Sequence, residues 1–254
     1  MRRSLIICIF LFKSLLIAQQ QNFVCYKAND SHINIRTEPN TASNIQGQLF
    51  DGDMIFVFLG KSTDNWLYGY IPKIQKNGYC YLEYFYLYKP YYYEVLNEVI
   101  QNNEYVMELI KEGYIRKSPS DFIFREIPEP DLLKVLKIGY DNDLIYNNSA
   151  TSTLIECVKM NYYEATKYLL CDTKEIKEIN SAYSTYGPPL FYSIIKGNYK
   201  MTELLLQYGA DVNCKSLNEK KMFYWINKKV EEQSFSQTVG DSLKKLLLEY
   251  GYKD

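Results

Sequence analysis

The stretch GPPLFYSIIKGNYKMTELLLQYGADVNC, residues 187–214, decides the fold. Apolar or small residues at Leu190, Ser193 and Ile194, then Met201, Leu204 and Leu205, follow helical spacing, broken by Gly197-Asn198 and closed by Gly209. The spacing predicts two short antiparallel helices joined by a turn. Pro189 suits a first helical position because its ring fixes φ, and Gly197 and Gly209 stand where each helix has to stop in a left-handed conformation. Helices of two to three turns are marginal in water by themselves, so this hairpin has to stack its apolar face on neighbours.

The same pattern recurs on both sides. Upstream, Ser152-Thr153-Leu154-Ile155 opens a turn, Cys157-Val158 fill the small positions, Asn161 replaces the glycine and Tyr168-Leu169-Leu170 form the second helix, with Thr153 and Glu156 as a capping box. Downstream, Met222 to Ile226 parallels Leu190 to Ile194, with Trp225 at a small-residue position, and Leu246 to Gly251 restores the second helix after an insertion from about Glu231 to Gly240. Glu94 to Gln101 with Glu104 to Glu112, and Asp131 to Ile138 closed by Gly139, read as degenerate units. That gives three clear repeats and up to five with atypical ends.

Pro188-Pro189-Leu190-Phe191, Ser193-Ile194, Gly197-Asn198, Leu204-Leu205-Leu206 and Gly209-Ala210-Asp211-Val212-Asn213 resemble, in register, the ankyrin pattern T-P-L-H, A-A, G-H, L-L-L and G-A-D-V-N. Pro188 and Phe191 replace the Thr and His of that pattern, so the family's hydrogen bonds at this turn are expected to be missing. The resemblance implies an all-α ankyrin-repeat solenoid over residues 91–254 that grips a protein partner. It places contact positions at Tyr192, Ile195 and Lys196, at Glu156, Lys159 and Met160, and at Asp211, Asn213 and Lys215, each of which could otherwise simply face solvent.

Residues 22–88 have a different texture. Ile33 and Ile35 alternate with Asn34 and Arg36; Met54 to Leu59 is an apolar run after Asp51-Gly52; Trp66 to Ile71 and Tyr79 to Leu82 flank a turn signal at Asn77-Gly78. Ile33-Asn34-Ile35-Arg36-Thr37-Glu38-Pro39, then Ile45, Gly47, Leu49, Gly52, Val57, Trp66 and Tyr68, Gly78-Tyr79-Cys80 and Tyr86-Leu87 resemble the bacterial SH3-like (SH3b) domain. The expected fold is therefore multidomain: a small all-β SH3-like barrel, then the solenoid. The resemblance implies an exported module that binds cell-wall peptide or protein, with Trp66, Tyr68 and Tyr84 as groove candidates. It also sets the strands of Cys25 and Cys80 side by side; a disulfide between them is one reading, two buried small side chains the other.

Residues 1–18, MRRSLIICIFLFKSLLIA, read as a secretory signal peptide cleaved near Ala18, with Lys13 interrupting an apolar core too short to span a bilayer comfortably. This predicts a periplasmic or secreted chain with no stable membrane insertion. Loss of Arg2, Arg3 and Lys13 with the leader takes the formal charge from −1 to −4, and the lysines lie scattered among glutamates, which disfavours nucleic acid as a partner. His32 is the single histidine, no glycine cluster is followed by Lys-Ser or Lys-Thr, and the cysteines lack metal-ligand spacing. The reading is a non-enzymatic exported binding scaffold without cofactor or metal; a cell-wall-associated hydrolase, or its accessory subunit, is the alternative.

Overall fold

The computed structural model describes residues 23–124, 127–147, 152–172, 174–182, 187–214 and 220–253. The leader at 1–18 and Lys215 therefore lie outside the described residues. No helix among the described residues is long and apolar enough to cross a membrane. The chain divides into two compact units, Met1–Arg116 and Lys117–Asp254.

The first unit holds seven strands: β1 (Phe23–Ala28), β2 (Ile33–Arg36), β3 (Ile45–Leu49), β4 (Met54–Phe58), β5 (Trp66–Ile71), β6 (Lys76–Tyr81) and β7 (Phe85–Tyr88). They form an antiparallel sheet in the order β3-β2-β6-β5-β4-β1-β7. Among the described residues no ladder joins β3 to β7, so the sheet has two edges where the SH3-like resemblance implied a closed barrel. Period-two alternation sends Val24, Ala28, Ile33, Ile35, Leu49, Ile55, Val57, Leu67, Ile71, Cys80 and Phe85 into one core.

The other face is covered as well. Helices α1 (Leu96–Ile100) and α2 (Glu104–Lys111) follow the last strand, and α2 packs on β1. Tyr105 of α2 meets the rings of Phe58 at 4.8 Å and Tyr70 at 5.3 Å. Met54 to Phe58 is buried from both sides, with Ile55 and Val57 in the sheet core and Phe56 fully buried on the opposite face, which is why the run reads as continuously apolar. This hairpin, expected to begin the repeats at residue 91, thus belongs to the sheet's unit, which extends to Arg116. Glu94 ties it down: its carboxylate accepts from the Tyr88 hydroxyl at 2.6 and 2.8 Å and from the Tyr91 amide at 2.7 Å, with Lys27 of β1 at 3.4 Å.

One turn expectation fails here for a steric reason, and one open alternative takes its second form. Asn77-Gly78 is not a turn but part of β6, opposite Tyr70 and Gly69; the reversal occurs at Pro72–Ile74, where Gln75 takes φ 52°. Gly78 is needed because a Cβ there would meet Ile35 Cγ2 at 2.5 Å. Of the two readings of Cys25 and Cys80, the structure has the pair of buried small side chains, with both thiols free. Cys80 lies in the sheet core and β6 runs between β2 and β5, whereas Cys25 in β1 runs between β4 and β7 and alternates away from the core residues Val24 and Ala28.

The second unit is built of helix layers: α3 (Glu129–Asp141); α4 (Thr153–Met160) with α5 (Tyr163–Asp172); α6 (Pro189–Ile195) with α7 (Tyr199–Gln207); α8 (Met222–Glu231) with α9 (Gln237–Glu249). Inner helices α4, α6 and α8 stack in sequence, while α3 packs on α5 and α7 on α9. All residues from Pro189 to Ile194 are buried, as a helix sandwiched between two neighbours requires. Within that layer Thr202 Oγ1 donates to Ser193 Oγ at 2.9 Å, and Ser193 to the Leu190 carbonyl at 2.8 Å.

Left-handed residues stop the helices: Asn161 (φ 60°), Gly197 (φ 68°), Gly209 (φ 91°) and Gly251 (φ 87°). Gly139 does not close α3, which runs through it to Asp141; Asp143 (φ 54°) takes the left-handed position. The expected capping box is absent too. Glu156 pairs with Lys159 at 2.7 Å, and Thr153 donates its amide and hydroxyl to Asn147 Oδ1. The expected insertion holds the last residue of α8, the turn at 232–236 and the start of α9, where a Cβ on Gly240 would meet Val230 Cγ2 of α8 at 2.8 Å.

Two measurements test this packing. Native, unreduced protein should show a reactive thiol at exposed Cys171, with Cys25 and Cys80 reacting only on unfolding, since burial pushes Cys80 up to about 12; thiol titration with and without denaturant reads this. Glu98, 7% exposed, has its carboxyl pKa raised by burial, offset in part by hydrogen bonds from Asn103 and Tyr70. A raised native pKa means the folded state binds more protons than the unfolded one, so this group's stabilising contribution falls as pH rises from the ordinary carboxylate range through the elevated value. Relative to the parent, Glu98→Gln should raise the urea midpoint more at neutral than at acidic pH.

Candidate functional site

In the second unit the exposed ends of the three inner helices converge on a concavity of about 380 Å³. Tyr192 and Ile195 of α6 and Trp225 of α8 form its floor; Lys159 of α4, Lys196 after α6, and Lys228 and Lys229 of α8 form its rim. Tyr192 is 4% exposed and Trp225 9%, so the rings are anchored in the layer stack. The Trp225 indole meets Phe191 edge-on at 5.4 Å and Tyr224 at 5.4 Å.

The cations lie against these rings. Lys159 Nζ is 5.8 Å from the Tyr192 centroid and Lys228 Nζ 5.1 Å from that of Trp225. Lys196 donates to the main-chain oxygen of Lys159, tying one layer to the next. Two carboxylates flank the rim: Glu156, paired with Lys159, and Glu232, 2.6 Å from Lys229 and 3.8 Å from Lys228. The hydrogen bond from Lys229 holds the Glu232 carboxyl below its usual range.

Of the positions expected to contact a partner, Tyr192, Ile195, Lys196 and Lys159 thus share one site, with Glu156 attached through its ion pair. Met160 is 45% exposed but does not line the concavity. Asp211 and Asn213 lie elsewhere, in the finger after α7, and hold the stack together. The Asp211 amide donates to Asn180 Oδ1 at 2.8 Å, and Asn213 Oδ1 accepts from the Lys253 amide at 2.8 Å. Trp225, Lys228 and Lys229 were not among the expected contacts. The signal was present in the parallel between Met222–Ile226 and Leu190–Ile194, but Trp225 replaces Ser193 there and reads as a distortion of the repeat.

The first unit has a separate concavity of about 400 Å³, lined by Trp66, Tyr81, Tyr84, His32 and Arg36 among others. Trp66 meets Tyr81 at 5.3 Å and Tyr81 meets Tyr84 at 5.9 Å. Trp66 and Tyr84 therefore come together as expected, and Tyr68 does not. Strand register separates them: Trp66 stands opposite Tyr81, whereas Tyr68 stands opposite Tyr79, its ring tilted against that of Tyr79 at 4.6 Å and that of Phe58 at 5.7 Å. His32 reaches this pocket from a left-handed turn, φ 66°. Among the described residues no group of His, Cys, Asp or Glu is arranged to hold a metal ion.

Residues 125–216 match the family model described as ankyrin repeats, in three copies. The chain is 33% identical over 113 residues to the ankyrin repeat protein L38 of Acanthamoeba polyphaga mimivirus, an alignment covering 44% of this chain and 54% of that protein. It spans about half the length of this curated relative. Among solved structures, the crystal structure of an ankyrin repeat protein aligns with a TM-score of 0.46 at 17% identity, covering 64% of this chain and 81% of that one.

Trp225→Ala should destabilise the second unit by about 3–5 kcal/mol, through the void left between α6 and α8. Lys228→Ala should cost under about 1 kcal/mol, as expected of an exposed ion pair. Equilibrium denaturation of the two variants checks the contrast.

Proposed function

We propose that this chain, whose second unit carries ankyrin repeats, is a non-enzymatic scaffold that binds a protein partner in the groove formed by α4, α6 and α8. Ankyrin repeats imply a role in protein–protein interaction. One observation carries the assignment to this surface: three successive layers contribute to a single concavity whose anchored floor holds Tyr192 and Trp225, residue types enriched among energetically dominant contacts, inside a polar rim. The proposal extends to the first unit as an SH3-like module of an exported protein, its Trp66–Tyr81–Tyr84 pocket taking a peptide of the cell wall or of a second protein. What supports export is the Met1–Ala18 pattern, and a mature N-terminus near Gln19 is its test.

The groove is tested by affinity capture from the source organism with the full chain. Ile195→Arg, which puts a charge on the floor of the groove, should lose a protein that the parent retains. Lys245→Glu, on the exposed side of α9, should keep it. Equal capture by both variants would place the partner elsewhere.

A further inference from the structure

The formal charge of the chain is −1, yet four of its lysines gather around one apolar hollow. Glu156 and Glu232 offset part of that charge and leave a positive excess at the rim. Lys196 spends its ammonium on a main-chain oxygen, a neutral acceptor, so its charge is not cancelled there. The Lys159–Glu156 and Lys228–Glu232 pairs are partly exposed, and such pairs are worth about 0.2–1 kcal/mol, so an incoming carboxylate displaces either glutamate at small cost.

The floor decides what else the occupant carries. Ile195 and the buried rings of Tyr192 and Trp225 present hydrocarbon with little polar demand, in a hollow near the lower end of the ~300–1,000 Å³ range of small-ligand pockets. A nucleobase would need an open ring face for stacking. Here Lys159 lies over Tyr192, Lys228 lies over Trp225, and Phe191 and Tyr224 take further contacts of the indole.

The spacing of the cations adds a third constraint. Lys159, Lys196 and the Lys228-Lys229 pair come from three consecutive inner-helix layers. Packed helices lie about 8–10 Å apart. An extended chain in the polyproline II form has three residues per turn and rises about 3.1 Å per residue, so every third side chain returns to the same face about one layer further on.

We propose that the groove binds an acidic segment of a partner protein, held extended in the polyproline II form, with a carboxylate at about every third residue and an apolar side chain seated on Ile195 and the ring edges of Tyr192 and Trp225. This rests on the scaffold reading above and gives that partner its chemistry.

The test uses the full chain and fluorescein-labelled peptides of repeated Glu-Leu-Gln triplets, against Gln-Leu-Gln and Lys-Leu-Gln counterparts and a labelled oligo-uridylate, read by fluorescence anisotropy at low and physiological salt. The acidic peptide should bind saturably and at least about tenfold more tightly than the neutral or basic one, with the difference shrinking as salt rises. Lys196→Glu should weaken it by about tenfold or more with an unchanged circular dichroism spectrum, and Lys245→Glu should leave it intact. No saturable binding, equal binding of acidic and neutral peptides, or preference for the oligo-uridylate would each overturn the acidic occupant. If those peptide arms fail while Ile195→Arg still loses the captured protein, the scaffold reading survives and only the chemistry assigned to its partner is lost.

Discussion

Every helix of the second unit depends on the apolar contact it makes with the layer beside it. The inner helices α4, α6 and α8 run from seven to ten residues, lengths at which an isolated helix in water is unstable. Pro189 to Ile194 is buried around its whole circumference, which is possible only because α4 and α8 cover two opposite sides of it. Once layers are stacked, each end must be stopped and its main-chain groups satisfied. Asn161 and Gly197 do the first by entering the left-handed region. Asn180 and Asn213 do the second across layers, each accepting from an amide of the next finger. The stack and its punctuation therefore specify each other: a layer in the wrong register would strand both an apolar face and a set of peptide groups.

The first unit solves a related problem with a sheet. An antiparallel sheet commonly leaves one face to water, and its strands then alternate cleanly. Here the interior strand β4 is apolar at every position, and the hairpin of α1 and α2 supplies the second cover. The cost is polar groups brought out of water with that hairpin. Glu94 answers it with three donors, and Glu98 with Asn103 and Tyr70 at the expense of a raised carboxyl pKa.

The groove brings the two kinds of contact onto one surface. Its aromatic floor is rigid because it is part of the layer stack, while its lysines stand at the edge where side chains can re-pair. Rigidity below and exchangeable charge above suit a surface that recognises a short segment of another protein: the floor loses little entropy on binding, and the rim supplies steering and specificity.

Helix positions, the Gly197 and Gly209 stops and the stacking requirement were legible in residues 187–214, because apolar spacing and left-handed glycines are local consequences of helix geometry. So were Tyr192, Ile195, Lys196 and Lys159 as neighbours, since a repeat places equivalent side chains on one face. Only the tertiary structure decided that Trp225, Lys228 and Lys229 complete the groove, that the hairpin of α1 and α2 covers a face of the sheet and belongs to its unit, and that Cys25 and Cys80 face opposite sides of it. Each of these depends on which surfaces meet at long range. Spacing along a chain records the face a residue occupies; it does not record what comes to cover that face, which strand lies beside which, or where a bulky ring at a small-residue position finds room.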